Sequence, residues 1–188
     1  MYTKRWIDYF FDIAERTAGQ SKDPSTKVGA VLVKDRRVMA TGYNGFAKGI
    51  NDTYERYHNR DTKLSLVVHA EANCITQCAR YGIQSEGLTL FATLVPCTEC
   101  AKLIISAGIN LVIFKKQDLN VKRASSEHEW RDKIKDSVNM LTEAGVELYE
   151  YDPEEGILLE MADGLNKFIG ISNINYLNEV TTNVKYVL

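Results

Sequence analysis

Two segments, His69-Ala70-Glu71 and Pro96-Cys97-Thr98-Glu99-Cys100, restrict the fold of this 188-residue chain more than any other feature. Cysteines three apart point the same way on one helical turn. Pro96, just before Cys97, predicts a helix start there, where free N–H groups and the positive helix end favour a thiolate. His69 and Glu71 lie at the start of a second predicted helix, Val67 to Tyr81, closed by Gly82. One imidazole and two thiolates offset the charge of a zinc ion and leave a position for water, as catalytic zinc requires. The chain must therefore bring two helix starts, distant in sequence, to one point.

Each motif has a plainer reading. A single His in a helix is usually structural, and an isolated Cys-x-x-Cys serves structural zinc or redox chemistry. A four-ligand structural site lacks a natural fourth partner here. Cys74 and Cys78, one turn apart, read as small core residues, and His58 and His128 as isolated surface residues. Glu71, two residues from His69, is not a ligand but can reach water and a ring nitrogen of a base. The two motifs together, in this order, mark zinc-dependent base deaminases. In that chemistry zinc makes water a nucleophile at neutral pH, and Glu71 carries a proton to N3 of cytosine and then one to the departing amine.

Composition excludes other classes. Charged residues nearly balance, at a net −2, and no Lys/Arg run exceeds pairs such as Lys115-Lys116 and Lys122-Arg123. A nucleic-acid polymer would call for a basic stripe, so a small substrate is expected. The first twenty residues carry Asp8, Asp12, Glu15 and Arg16, and no apolar run approaches membrane length. These features predict a cytoplasmic protein (host cytoplasm, if viral) with no membrane partner and four reduced cysteines.

Apolar periodicity predicts a helix from Thr3 to Gly19 and a hairpin, Val28–Val33 and Val38–Tyr43, around Asp35-Arg36-Arg37. Asn44 to Ser65 reads as a long polar loop. Strands follow at Leu88–Thr93, Leu111–Phe114 and Val146–Tyr149, with helices at Cys97–Ala107 and Ser126–Ala144. Asp152 to Gly156 reads as a turn, Ile157–Ile171 as a strand and short helix, and Asn173–Leu188 as extended. Strand–helix alternation after an opening hairpin predicts an α/β fold with a mixed sheet. No linker appears, so residues 1–188 read as one deaminase domain with a family-variable C-terminal region from about 125.

Four pieces in order carry a family resemblance: Ser21-Lys22-Asp23-Pro24-Ser25-Thr26-Lys27-Val28-Gly29-Ala30, Gly42-Tyr43-Asn44-Gly45-Phe46-Ala47-Lys48-Gly49, His69-Ala70-Glu71-Ala72-Asn73 and Pro96-Cys97-Thr98-Glu99-Cys100-Ala101-Lys102. Through them the chain resembles the deoxycytidylate (dCMP) deaminases, cellular and viral. The resemblance implies a three-layer α/β/α cytidine-deaminase-like fold with a five-stranded mixed sheet, and hydrolysis of dCMP to dUMP and ammonia, which feeds thymidylate synthesis. It further implies one Zn2+ per subunit on His69, Cys97 and Cys100, with Glu71 catalytic. It implies a homohexamer activated by dCTP with Mg2+ and inhibited by dTTP.

For the substrate, the resemblance implies that Asn44 bonds the deoxyribose, the Ala70 N–H holds the cytosine O2 and Val28 packs on the ring. Ser21 and Lys22 are candidates for the 5′-phosphate, with Tyr149 and Tyr151 as further candidates. Tyr43, Lys48, Asn51 and Asp52 are candidates for the regulatory nucleotide. Asn44 reads equally as a turn former, Val28 as core, and the loop residues as solvated. Ala47 departs from the proline common in the family, and the extra Cys and His of a second, structural zinc are missing. Rival readings are a cytidine, guanine or tRNA-adenosine deaminase, and a non-catalytic zinc or nucleotide-binding domain.

Overall fold

The computed structural model describes residues 2–116, 127–161 and 184–186. Helix α1 (Lys4–Ala18) starts at Thr3, whose carbonyl accepts from the Trp6 and Ile7 N–H groups, and it buries Ile7, Phe10, Phe11, Ala14 and Ala18. Strands β1 (Gly29–Lys34) and β2 (Arg37–Tyr43) form the hairpin. Asp35 and Arg36 at its tip both have positive φ, 50° and 63°, as a primed two-residue turn requires.

The stretch expected as a polar loop holds structure of its own. It contains β3 (Gly45–Phe46), α2 (Tyr54–His58) and α3 (Arg60–Leu66), followed by β4 (Val67–Val68), which pairs antiparallel with β3. Helix α4 therefore runs from Ala70 to Tyr81 rather than from Val67. The chain continues through β5 (Thr89–Ala92), α5 (Thr98–Ser106), β6 (Leu111–Lys115), α6 (Glu127–Glu143), β7 (Glu147–Asp152), β8 (Ile157–Glu160) and β9 (Val184–Tyr186). The short helix expected before Ile171 lies outside the described residues.

The main sheet has the order β2-β1-β5-β6-β7-β8-β9. Strands β5, β6 and β7 are parallel to one another, and the other pairings are antiparallel. The expectation of a mixed sheet holds, but five strands is a correction to seven among the described residues. The β2-β1-β5-β6-β7 portion is extended by β8, which pairs with β7, and by β9, which pairs with β8.

Strand residues alternate between two cores, as the two-residue period requires. Ala30, Leu32, Leu90, Val112, Phe114 and Leu148 face α4, α5 and α6, where they meet Cys74, Ile104 and Val138. Val31, Val33, Phe91, Ile113, Tyr149 and Tyr151 face α1. The sheet is thus the middle of three layers. Gly42 sets the depth of α4, since a Cβ there would lie 2.2 Å from the Ala70 carbonyl oxygen and 2.5 Å from the Cys74 nitrogen. Only a residue without a side chain lets the start of α4 lie this close to β2.

Candidate active site

Both predicted helix starts meet at one point, the cluster of His69, Cys97 and Cys100. His69 is the residue before α4, with extended backbone, and Cys97 holds the same position before α5. The β3–β4 register pairs Gly45 with Val68, which sets Asn44 beside His69. The Thr93 N–H bonds the Gly29 carbonyl, holding the segment toward Cys97 against the start of β1. Cys97 Sγ lies 3.3 Å and Cys100 Sγ 3.5 Å from His69 Nδ1. These three ligand atoms all lie within 4.8 Å of one another. Exposure falls from His69 through Cys97 to the buried Cys100. The cluster therefore opens to solvent on its histidine side.

Glu71 lies on the closed side. It is 4% exposed, and its Oε2 is 3.5 Å from Cys100 Sγ, which donates to it. Burial pushes its carboxyl above the ordinary carboxylate range. The Cys100 thiol beside Cys97, followed by His69, holds the Cys97 thiol well below its usual value, while Cys100 is pushed up by Cys97 and by burial. His69 is raised, chiefly by its contact with Cys97.

Residues 4–116 match the model of the cytidine and deoxycytidylate deaminase zinc-binding region. An uncharacterized deaminase of the luxG 3′ region of Aliivibrio fischeri is 36% identical over 77% of this chain and 92% of its own length. The chain belongs to the cytidine and deoxycytidylate deaminase family. A probable deoxycytidylate deaminase of Drosophila melanogaster is 35% identical over 80% of this chain and 74% of that protein. The dCMP deaminase of cyanophage S-TIM5 superposes with a TM-score of 0.60 at 26% identity, over 78% of this chain and 97% of that one. Its structure with dCMP and dUMP gives 0.59 at the same identity, over 76% and 94%.

The donor set of this deaminase fits the family's zinc. One nitrogen and two sulfurs are the ligands zinc prefers, and bonds of ~2.0–2.3 Å at tetrahedral angles set such atoms about 3.5 Å apart. The two S···N separations, 3.3 and 3.5 Å, agree.

The other candidates divide into those near the cluster and those away from it. Ala70 is buried in the first turn of α4. Val28 packs on the α4-side core. Asn44 is buried, its Oδ1 accepts from the Val28 N–H at 2.8 Å, and its Nδ2 donates to the Thr26 carbonyl at 2.9 Å. Ser21 is buried and donates to the Asn44 carbonyl at 2.7 Å. Lys22 is exposed and ion-paired with Asp52 at 2.8 Å. Tyr43 is exposed, and its carbonyl accepts from the Asn73 amide at 2.8 Å. Lys48 and Asn51 are exposed between β3 and α2.

Tyr149 and Tyr151 are corrections. Both are buried in the core under α1, across the sheet from α4 and α5. The Tyr149 hydroxyl donates to Glu147 and the Tyr151 hydroxyl to Asp8, and the Tyr151 ring stacks on Phe11. Neither phenol is available to a nucleotide phosphate at His69. The parity of β7 decides this, because odd-numbered positions face α1.

Asp23 was not singled out from the sequence. Its Oδ1 accepts from the Ser25 N–H at 2.8 Å and the Thr26 N–H at 3.1 Å, and it pairs with Lys63 at 3.3 Å. Asp-Pro-Ser-Thr is the pattern of a side chain capping its own turn, so the signal was present. Its partner Lys63 stands forty positions away, on α3.

Proposed function

We propose that this chain hydrolyses dCMP to dUMP and ammonia. The observation that carries the reaction type is the buried Glu71 carboxyl at 3.5 Å from Cys100, beside the His69–Cys97–Cys100 cluster. A carboxyl that is buried and not a ligand is suited to holding and releasing protons, whereas a purely structural zinc site has no use for one. The choice of dCMP is supported by the names of the Drosophila and cyanophage relatives.

Zinc on His69, Cys97 and Cys100 would supply the Lewis acidity that makes water a nucleophile near neutral pH. Glu71 accepts a proton from the attacking water and delivers it to N3 of the cytosine. As the C4–O bond is completed and the C4–N4 bond breaks, Glu71 passes the second water proton to N4, and ammonia leaves. The Ala70 N–H holds the base through O2, Val28 packs on its face, and Asn44 meets the deoxyribose with the amide N–H not engaged by Thr26. Ser21 orients Asn44 rather than meeting the phosphate, and Lys22 is the cation for the phosphate.

Tyr43, Lys48, Asn51 and Asp52 form the loop side on which dCTP with Mg2+ or dTTP would act, in a homohexamer in the cytoplasm. Ammonia release from dCMP, deoxycytidine, CMP and guanine, with and without dCTP and Mg2+, tests the proposal. Turnover of dCMP at a much higher kcat/KM than deoxycytidine is expected. Equal turnover of the two would remove phosphate recognition, and a curve against dCMP that ignores dCTP would remove the regulatory loop.

A further inference from the structure

Helix α6 lays an apolar stripe on the core: Ile134, Val138 and Leu141 are buried against the α4-side cluster. Ser137 sits within that stripe and is 0% exposed. A hydroxyl so placed needs a partner, and a helical serine ordinarily finds one in the carbonyl a turn back. Ser137 instead donates across 41 positions to the Pro96 carbonyl oxygen, at 2.7 Å. Pro96 is itself buried, so water does not replace this bond.

The Pro96 carbonyl belongs to the peptide plane that carries the Cys97 backbone. Cys97 caps α5 with extended backbone (φ −79°, ψ 172°) and has no side-chain cap bond of its own. Proline lacks an N–H, so the turn into the cysteine pair has one backbone anchor fewer than an ordinary residue provides. The direction of Cys97 Sγ follows from the orientation of that plane. On the reading that His69, Cys97 and Cys100 hold zinc, we propose that Ser137 is a positioning residue for the metal. Its hydroxyl fixes the Pro96–Cys97 peptide, and through it the thiolate geometry that zinc meets.

The test uses the full chain and Zn2+ in competition with a chromophoric chelator, so it does not depend on deaminase activity. Ser137→Ala should weaken zinc binding by about 10- to 100-fold, the usual loss when a group behind a ligand is removed. It should also alter the thiolate-to-metal band of the Co2+-substituted protein. Val138→Ala, on the same buried stripe, should lower Tm while leaving zinc affinity within about threefold, since it deletes packing but no ligand support. Equal zinc affinity in Ser137→Ala and wild type would overturn the proposal. So would an affinity loss in Val138→Ala as large as that in Ser137→Ala. If Ser137→Ala folds only with zinc present, its rate of zinc loss to excess chelator is read instead, and an unchanged rate overturns the proposal. A variant that does not fold even with zinc also overturns it, because the hydroxyl then serves the core and not the turn. If wild type itself fails to bind zinc, the metal reading fails and not the role of Ser137 alone.

Discussion

Lys22 Nζ and Asp52 Oδ1 meet at 2.8 Å across thirty positions, joining the loop before β1 to the β3–α2 insertion. On the proposed role of Lys22, a nucleotide phosphate competes with Asp52 for the ammonium. The two residues therefore act in opposite directions. Lys22→Ala should raise KM for dCMP about tenfold or more, the scale of a charge-assisted hydrogen bond, with little effect on deoxycytidine. Asp52→Asn should lower KM for dCMP by up to about fivefold, because an exposed pair is worth little and its partner is freed. Steady-state kinetics with both substrates check this, and an equal change for dCMP and deoxycytidine in Lys22→Ala would remove Lys22 from phosphate binding.

Glu71 is buried with its carboxyl among the ligands, so its replacement separates chemistry from architecture. Glu71→Gln keeps the shape and removes the proton carrier. Ammonia release should fall by about 10²- to 10⁴-fold. Zinc content and Tm should stay near wild type, and Tm can rise, since a buried ionisable group is replaced by a neutral one. Retained turnover would show that protons move by another group.

Asn44 holds two backbone segments at once, the Val28 N–H and the Thr26 carbonyl. Asn44→Ala leaves both unmade in a half-buried place, at about 0.5–1.5 kcal/mol for each bond. A chain of this length should lose several degrees of Tm, at about 2–4 °C per kcal/mol. If the amide also bonds the sugar, KM for dCMP should rise more than KM for its 3′-deoxy analogue. Equal effects on the two would leave Asn44 with the turn-holding role alone.

The site's metal half was legible because ligand spacing and helix-start chemistry are local. Cys97 and Cys100 need only one turn to face together, and Pro96 marks where that turn begins. Boundaries set by distant pairing were not legible. Val67 and Val68 fit a helical run, yet β-branched residues also suit a strand, and pairing with Gly45–Phe46 takes them out of α4. Strand β7 was expected, but which of its faces meets α1 depends on register with β6. A one-residue shift exchanges every side chain, so the face on which Tyr149 and Tyr151 lie is not legible without that register. Ser137 carried no local signal, since its partner is fixed only once α6 lies on α5.

Tyr151 supplies a test of that correction together with a pH dependence. Its hydroxyl donates to Asp8 within the α1 core, and burial followed by the Asp8 carboxylate pushes its pKa up to about 12 from an ordinary 10. A folded pKa above the unfolded one means the neutral phenol is favoured by folding. This contribution is fully present below about pH 10 and is lost as pH rises from 10 through 12. Two units correspond to a linkage of order 2–3 kcal/mol for a fully buried group. Tyr151→Phe has no phenol to ionise. The variant should be less stable than wild type at pH 7, where the hydroxyl–carboxylate bond is missing and Asp8 has lost a donor. Between pH 10 and 12 wild-type stability should fall faster, and the gap should close. Denaturant melts of both proteins at pH 7, 10 and 11.5 measure this, and a gap independent of pH would contradict the burial of the phenol. Because the residue lies across the sheet from His69, KM for dCMP in Tyr151→Phe should match wild type at pH 7. A selective rise for dCMP over deoxycytidine would return the phenol to the phosphate.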